Sequence, residues 1–327
     1  MLKPTEDSAI CFRGIGISSS YPPTQILRNI SGYVVRGGIT AILGPTASGK
    51  SLLMRSLSGR VHNLKVSGDL FIEGVKVDHR DISNPISFVP QADTLIGDLT
   101  PRETLFNSAA MKRNKPTQSI EKDVGRLLKI LGIADVADSI IGTAFARGIP
   151  GGHKKRVEIG AELVAAPLVL FLDEPTSGLD ASVAYEVLRS IKDIAKSSGG
   201  QLSIMLSIQQ PNTRLLELFD HIMVLGGGSM NFFGTVLESL DHLSSIGFAP
   251  PDDYSPTDYF LQASDRNFTG FNQVNFAGKC DSDTSLVTCE SGYRTISILI
   301  FSNSNVSQAL QSLSISTCAC PISFISN

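Results

Sequence analysis

The sequence has few of the features that mark a nucleic-acid-binding, secreted or membrane-spanning protein. Its 327 residues carry a formal net charge of −3, so no basic field favours binding to nucleic acid. The most apolar run near the end, Ile296 to Phe301, is far shorter than the roughly 20 residues that a bilayer-crossing helix needs. The first seven residues lack the basic start and apolar core of a signal peptide. These absences predict a chain that starts and stays in the cytosol.

Cysteine is also scarce, and its distribution does not favour a metal site. Four of the five cysteines lie in the last fifty residues, at Cys280, Cys289, Cys318 and Cys320. The Cys-x-Cys pair at 318–320 has no histidine or further cysteine pair at the spacing of a zinc site. We therefore interpret these cysteines as incidental to function.

The most informative segment is the run 44–51, which has the G-x-x-x-x-G-K-[ST] pattern of a P-loop. Its residues are Gly44, Pro45, Thr46, Ala47, Ser48, Gly49, Lys50 and Ser51. Ile39 to Leu43 before it predicts a buried strand, and Leu52 to Leu57 after it predicts the start of a helix. In this context the loop N–H groups and the helix N-terminus form a cradle for phosphates. Lys50 would reach the β- and γ-phosphates and Ser51 would bind Mg²⁺, so the segment predicts a nucleoside triphosphate site.

Alternating strands and helices predict an α/β fold. Thr100 and Glu103 form a capping box with Pro101 at the first helical position, which opens a helix through Met111. Further predicted helices are Ser119–Leu131, Lys154–Ala165, Ala181–Ser197 and Thr213–Phe219, and further predicted strands are Ile10–Ile17, Ile30–Val35, Ile86–Val89, Leu168–Leu172, Leu202–Ile208 and His221–Leu225. Past about Ala263 the periodicity fades, and residues 266–327 are interpreted as a weakly ordered tail.

A second motif with metal chemistry follows the apolar strand Leu168–Leu172. Asp173 and Glu174 come directly after it and form the Walker B arrangement. The first carboxylate of such a pair holds Mg²⁺ through water, and the second is placed to polarise the attacking water. A strand followed by an acidic turn would be the default interpretation of Asp-Glu alone. The upstream P-loop and the downstream run 176–180 favour the catalytic interpretation.

The order of these motifs resembles the nucleotide-binding domain of an ABC transporter, from about residue 10 to 263. The segments that carry the resemblance are the P-loop, Phe88–Gln91, Gly148–Val157, the Walker B pair and Ser177–Asp180. Within that family the chain is similar to the G subfamily, of the White and pleiotropic-drug-resistance type. The segments similar to that subfamily are Ile30–Tyr33, Leu99–Leu105, Lys154–Gly160, Phe232–Gly234 and Ser244–Phe248.

The resemblance implies a P-loop NTPase fold with a mixed or parallel core sheet, an N-terminal antiparallel β subdomain and an α-helical signature subdomain. The expected cassette covers residues 1–265, with the P-loop at 44–51, the helical subdomain at about 98–150 and Walker B at 168–174. Residues 266–327 would be the tail, with no membrane domain in the chain. ABC cassettes work as head-to-tail pairs that hold two nucleotides between them, so one chain supplies half of each site.

The resemblance also implies roles for single residues. Gln91 would touch Mg²⁺ or water, and Asp180 would cross to the partner cassette. Gly151 and Gly152 would close over the γ-phosphate bound to the partner. An aromatic residue would stack on adenine, for which Tyr21 is the better candidate and Phe12 the other, although either could serve ordinary packing.

Three positions depart from the family pattern. The signature serine is replaced by Pro150, within Pro150–His153, and proline offers neither a hydroxyl nor an N–H to the γ-phosphate. The switch histidine after the strand Leu202–Ile208 is replaced by Gln209, which can hydrogen-bond but cannot carry positive charge. Ala47 occupies the position at which P-loops of the family usually have a further glycine, between Gly44 and Gly49. We expect tight MgATP binding with slow or partner-dependent hydrolysis; family drift with normal turnover is the alternative.

The leading functional hypothesis is the ATPase module of an exporter of lipids, sterols or amphipathic compounds. It would be held at the cytosolic face of a membrane by a transmembrane partner, in a homo- or heterodimer of cassettes. A second hypothesis is a nucleotide-binding cassette that is regulatory or truncated and hydrolyses ATP weakly or not at all. A third is a soluble ABC ATPase acting on ribosomes or chromosomes, which the net charge of −3 does not favour.

Overall fold

The computed structural model describes residues 8–61, 63–79, 82, 86–113, 115–143, 145–209 and 211–239, together with the backbone of 284–291 and 294–301. The chain divides into two compact units, residues 1–276 and residues 277–327. The strands are β1 Ser8–Ser20, β2 Pro23–Val35, β3 Ile39–Leu43, β4 Leu64–Ile72, β5 Val75–Val77, β6 Ile86–Val89, β7 Val169–Leu172, β8 Ser203–Ser207, β9 His221–Gly226, β10 Ser229–Gly234, β11 Thr284–Ser291 and β12 Arg294–Phe301. The helices are α1 Lys50–Leu57, α2 Pro101–Lys112, α3 Thr117–Ile130, α4 Gly151–Leu163, α5 Ala181–Ser197 and α6 Thr213–Leu216.

A six-stranded sheet in the order β10-β9-β3-β8-β7-β6 forms the centre of the first unit. Strands β6, β7, β8, β3 and β9 pair in parallel, and β10 joins β9 antiparallel at one edge. Every residue of β3, β7 and β8 is buried, as their mostly apolar sequences favour for strands covered on both faces. The carboxyl ends of these parallel strands meet at one edge of the sheet, which brings the segments after Leu43, Val89, Leu172 and Ser207 together.

A four-stranded antiparallel sheet, in the order β2-β1-β4-β5, lies beside the P-loop. Leu27 of β2 is fully buried, and a Cβ added at Gly49 would lie 2.3 Å from its Cδ2. The next residue, Arg28, donates its backbone N–H to the carbonyl of Gly228 in the β9–β10 turn at 2.8 Å. Strand β2 therefore contacts both the P-loop and the edge of the central sheet. The predicted mixed core sheet and antiparallel β subdomain are confirmed.

Helices α2, α3 and the beginning of α4 form the helical region. The predicted capping box is present: the Thr100 hydroxyl accepts from the Glu103 N–H, and the Glu103 carboxylate accepts from the Thr100 N–H. Helix α3 buries one face, formed by Ile120, Val124 and Leu128. The predicted start of α4 at Lys154 was wrong, because the helix begins at Gly151. Glycine has low helix propensity, so the paired glycines hid the first turn.

The second unit contains a hairpin in which β11 and β12 pair antiparallel, from Thr284 opposite Phe301 to Ser291 opposite Arg294. No strand was predicted there, and the rest of the predicted tail 266–327 lies outside the described residues. Within the part of the chain that the structure describes, no helix is long and apolar enough to cross a bilayer.

Candidate functional site

The loop between β3 and α1 has the tight backbone that phosphate binding needs. Gly44 has φ 150°, and a Cβ there would lie 2.2 Å from the carbonyl oxygen of Leu225. Gly49 has φ 99° and caps α1 in the left-handed region without a side-chain hydrogen bond. Ala47 also has positive φ, 63°, a conformation that costs a side-chain-bearing residue about 1–2 kcal/mol. Glycine adopts the positive φ values at positions 44 and 49 without strain, whereas Ala47 adopts its positive φ at a cost.

Lys50 lies inside this loop with only 4% of its surface exposed. Its ammonium donates to the carbonyl oxygens of Gly44 at 2.8 Å and Pro45 at 3.0 Å. Burial lowers the pKa of Lys50, and the carboxylates of Glu174 and Asp173 act in the opposite direction. The ammonium therefore lies within the electrostatic reach of both Walker B carboxylates.

Asp173 follows β7 and is hydrogen-bonded to residues of α1 and β8. It is 1% exposed, and its Oδ1 accepts from the hydroxyls of Ser51 at 2.7 Å and Ser207 at 2.8 Å. Its Oδ2 has no hydrogen-bond partner among the described residues, and Nη2 of Arg55 is 3.9 Å away. This distance is too long for a hydrogen bond. Asp173 thus presents one buried carboxylate oxygen that is available to a ligand, beside the Ser51 hydroxyl.

Glu174 lies between two glutamine side chains. The Gln91 amide donates to its Oε2 at 2.7 Å, and the Gln209 amide donates to its Oε1. The residue is 8% exposed and has φ 48°, a left-handed conformation that is uncommon for glutamate. Such backbone outliers are found at active sites, where the surrounding structure imposes them. Both carboxylate oxygens of Glu174 are therefore oriented by residues that follow neighbouring strands.

Ser207 is a site residue that the sequence reasoning missed. Besides its bond to Asp173, its buried hydroxyl accepts from the backbone N–H of Glu174 at 2.8 Å. One hydroxyl thus fixes the positions of both Walker B residues. The signal available in the sequence was a serine near the end of a predicted strand, two residues before Gln209. Because β8 pairs in parallel with β7, this serine lies beside the end of β7 and therefore beside Asp173.

The signature residues lie away from this network, at the start of α4. Pro150 is the N-cap of α4, with φ −57° and ψ 153°, and makes no side-chain capping bond. A Cβ at Gly152 would lie 2.4 Å from Cγ1 of Val183, so α4 starts close against α5. Asp180 caps α5 by accepting from the N–H groups of Ser182 and Val183, both at 3.0 Å. Within this chain, the Asp180 carboxylate therefore serves as a helix cap.

Tyr21 lies in the turn between β1 and β2, and 94% of its surface is exposed. The other aromatic candidate, Phe12, is fully buried on β1. Of the two, only Tyr21 has a ring that a base could reach.

The donor set fits Mg²⁺ and a triphosphate. Oδ2 of Asp173 and the hydroxyl of Ser48 are buried polar atoms without hydrogen-bond partners among the described residues. Buried polar groups are usually paired in native proteins, so these two unpaired atoms are available to a ligand. Carboxylate and hydroxyl oxygens are the ligands that Mg²⁺ prefers.

Known proteins of similar sequence are transporters. The sequence profile of the family described as ABC transporter matches residues 27–177. A probable ATP-dependent permease of Saccharomyces cerevisiae is 40% identical over 248 residues, which are 75% of this chain and 23% of the yeast protein. The broad substrate specificity ATP-binding cassette transporter ABCG2 of Rattus norvegicus is 39% identical over 72% of this chain and 36% of its own length. ABC transporter G family member 22 of Arabidopsis thaliana is 37% identical over 79% of this chain and 34% of its own.

A solved structure supports the same assignment. The chain matches cbiO1 from Clostridium perfringens, described as part of the ABC transporter complex cbiONQ, with a TM-score of 0.62 and 25% identity. The match covers 74% of this chain and 94% of the bacterial one. By contrast, the chain spans between 23% and 36% of the three curated relatives above. The chain therefore belongs to the ABC transporter family and carries an ATP-binding cassette of the G subfamily.

Proposed function

We propose that this chain binds MgATP and hydrolyses it to drive transport through a membrane partner. The observation that carries the proposal is the orientation of Glu174 by Gln91 and Gln209, next to an Asp173 carboxylate bonded to Ser51. Two carboxylates with separate partners are suited to separate roles. Asp173 would bind the metal and Glu174 the attacking water.

The residues have the following roles in this proposal. The loop N–H groups and Lys50 would bind the β- and γ-phosphates, and Ser51 and Asp173 would hold Mg²⁺, which supplies charge neutralisation at the phosphate oxygens when bound. The Glu174 carboxylate accepts a proton from the attacking water, whose oxygen forms a bond to the γ-phosphorus. The bond from that phosphorus to the bridging oxygen breaks, and ADP leaves. Gln91 and Gln209 hold Glu174 in place and donate hydrogen bonds near the γ-phosphate.

We propose that hydrolysis by the chain alone is slow. Pro150 brings no hydroxyl and no N–H to the nucleotide of a partner cassette, and Gln209 cannot become cationic. Each hydrogen bond lost to a charged group is worth about 1.5–3 kcal/mol. In a heterodimer, the P-loop of this chain would be completed by an intact signature, and the site completed by Pro150 would be largely non-hydrolytic.

The cargo and the cellular location are proposed from the family resemblance, since no described residue bears on them. We propose lipids, sterols or amphipathic compounds as cargo, on the resemblance to the G subfamily; the relatives include a permease and a broad substrate specificity transporter. The cassette would pair with a second cassette and bind the transmembrane domain of a transporter at its cytosolic face. A regulatory cassette that binds ATP without turnover is the second candidate, favoured by Pro150 and Gln209.

The experiment compares MgATP binding and hydrolysis by the purified chain with the same measurements on Glu174→Gln. We expect both proteins to bind nucleotide with similar affinity, because Glu174 contacts the other site residues rather than the P-loop. Turnover is expected in the native protein only. Equal rates in both proteins would contradict the role of Glu174, and tight binding without turnover in either would favour the regulatory cassette.

A further inference from the structure

Among the described residues outside the phosphate site, one carboxylate is deeply buried. Glu158 lies in the middle of α4 and is 4% exposed. Glutamate is almost never buried to this degree unless it is paired, because removing its charge from water is costly. Burial raises the pKa of the Glu158 carboxyl, and hydrogen bonds from Lys155 and from the backbone of Thr94 counteract that rise. Its partners therefore explain why an acid is retained here.

Those partners belong to two different elements. Oε1 of Glu158 accepts from the backbone N–H of Thr94 at 2.9 Å, in the segment that follows β6. Oε2 pairs with the ammonium of Lys155, one turn earlier on α4, whose side chain is 11% exposed. The carboxylate of Asp93 also faces the site and repels Glu158, while accepting from the N–H of Leu95. Because Lys155 binds the second oxygen, the Glu158 side chain is fixed in the orientation that reaches Thr94.

Each of the two segments that this contact joins carries a residue of the proposed ATP site. Thr94 lies three residues after Gln91, whose amide donates to Glu174. Glu158 lies eight residues after Pro150, the N-cap at the signature end of α4. A charge-assisted hydrogen bond is about twice as strong as a neutral one, so this contact resists separation of the two elements.

We propose that Glu158 is a positioning residue that ties the Gln91 segment to α4, so that the Gln91 amide and the signature end of α4 move as one. The proposal rests on the proposed ATPase function, since both parts act on bound nucleotide. Among the described residues, Glu158 makes no hydrogen bond with Gln91 or Glu174; it acts through Thr94 and the helix.

A double-mutant cycle with Gln91 tests this role. Glu158→Leu keeps a side chain of similar size and removes both acceptors, and we expect kcat to fall about tenfold with KM within twofold of the native value. If Glu158 acts through Gln91, adding Glu158→Leu to Gln91→Ala will lower kcat by less than twofold. Multiplicative losses in the double variant would overturn the proposal, because residues with independent effects give additive free energies.

Two control variants separate positioning from stability and from the ion pair. Val124→Ala removes buried volume from α3 and is expected to lower the unfolding temperature while its effect on kcat stays within twofold. The double variant Glu158→Gln with Lys155→Met keeps an acceptor for the Thr94 N–H and removes both charges. We expect its kcat to stay within threefold of the native value; a tenfold loss while the Thr94 N–H exchanges as slowly as in the native protein would show that the ion pair, not the tie to Thr94, is required.

Amide hydrogen exchange gives a readout that does not depend on turnover. In Glu158→Leu we expect exchange to accelerate by about tenfold or more both at the Thr94 N–H and at the Lys154 N–H, which donates to the carbonyl of Pro150 at 3.0 Å and is the first hydrogen-bonded amide of α4. Val124→Ala should change neither. Faster exchange at Thr94 alone would overturn the proposal, since the two elements would then not be tied. If the native chain shows no hydrolysis, the ATPase function fails, and the exchange experiment still decides the role of Glu158.

Discussion

Replacing Pro150 tests the interpretation of the degenerate signature, and the structure separates two effects of the change. Pro150 has φ −57° and ψ 153° at the N-cap of α4, a conformation that serine also adopts, and it makes no capping bond. By contrast, the N-caps of α2, α5 and α6 all accept N–H groups through their side chains. A serine hydroxyl at position 150 would accept an N–H of the first turn of α4, as these residues do.

The size of the stability effect follows from comparing Pro150→Ser with Pro150→Ala. A serine N-cap stabilises a helix by about 0.5–2 kcal/mol relative to alanine. In a domain of this size, about 1 kcal/mol raises the unfolding temperature by roughly 2–4 °C. Relative to the native protein, Pro150→Ser should gain almost no stability. Replacing proline raises the conformational entropy of the unfolded chain, which lowers the free energy of unfolding by about 0.4–1 kcal/mol. The alanine variant is therefore the correct reference.

The same pair of variants isolates the hydroxyl in catalysis. Both restore a backbone N–H at position 150, and only serine adds a donor for the γ-phosphate of the partner site. A hydrogen bond worth about 1.5–3 kcal/mol in the transition state corresponds to roughly 10- to 150-fold in rate. The assay is steady-state ATP hydrolysis by each purified chain, beside thermal unfolding. Equal unfolding temperatures and equal rates for the serine and alanine variants would refute the reasoning.

Three further substitutions have expected outcomes. Ala47→Gly relieves the positive φ of 63° and should raise the free energy of unfolding by about 1 kcal/mol in chemical denaturation; a loss of that size would contradict strain at this position. Ser207→Ala leaves the buried Glu174 N–H without a partner and removes one of the two donors to Oδ1 of Asp173, so unfolding should become easier by about 1–3 kcal/mol and hydrolysis slower, with unchanged stability as the contrary result. Gln209→His should introduce a single inflection in the rate between about pH 6 and 7, absent from the native protein; a flat profile would show that the imidazole does not take part.

The positions of the main site residues were predictable because each follows a strand of a recognisable kind. The apolar runs before Gly44 and Asp173 read as buried parallel strands, and the carboxyl ends of such strands meet at one edge. That rule alone brings Lys50, Ser51 and Asp173 together. The roles of the individual site residues stay predictions until nucleotide binding and turnover are measured.

Ser207 and Glu158 were missed in the sequence, because their importance depends on tertiary contacts. A serine that ends a β-strand has no local mark of its bond to Asp173. A glutamate among the charges of Lys154–Gly160 reads as part of a solvated helix face, whereas α4 turns Glu158 toward Thr94. The carboxylate is thus buried by a neighbouring segment more than sixty residues earlier in the chain.

The contacts of β2 with the P-loop have a consequence for dividing this protein into smaller parts. Leu27 fills the space beside Gly49, and a Cβ at Gly228 would lie 2.2 Å from the carbonyl oxygen of Ile26. The phosphate loop is therefore braced from outside the strand and helix that it joins. A minimal ATP-binding fragment of this protein must include β2 and the strand that pairs with it, and grafting β3, the loop and α1 onto another scaffold would transfer the motif without its support.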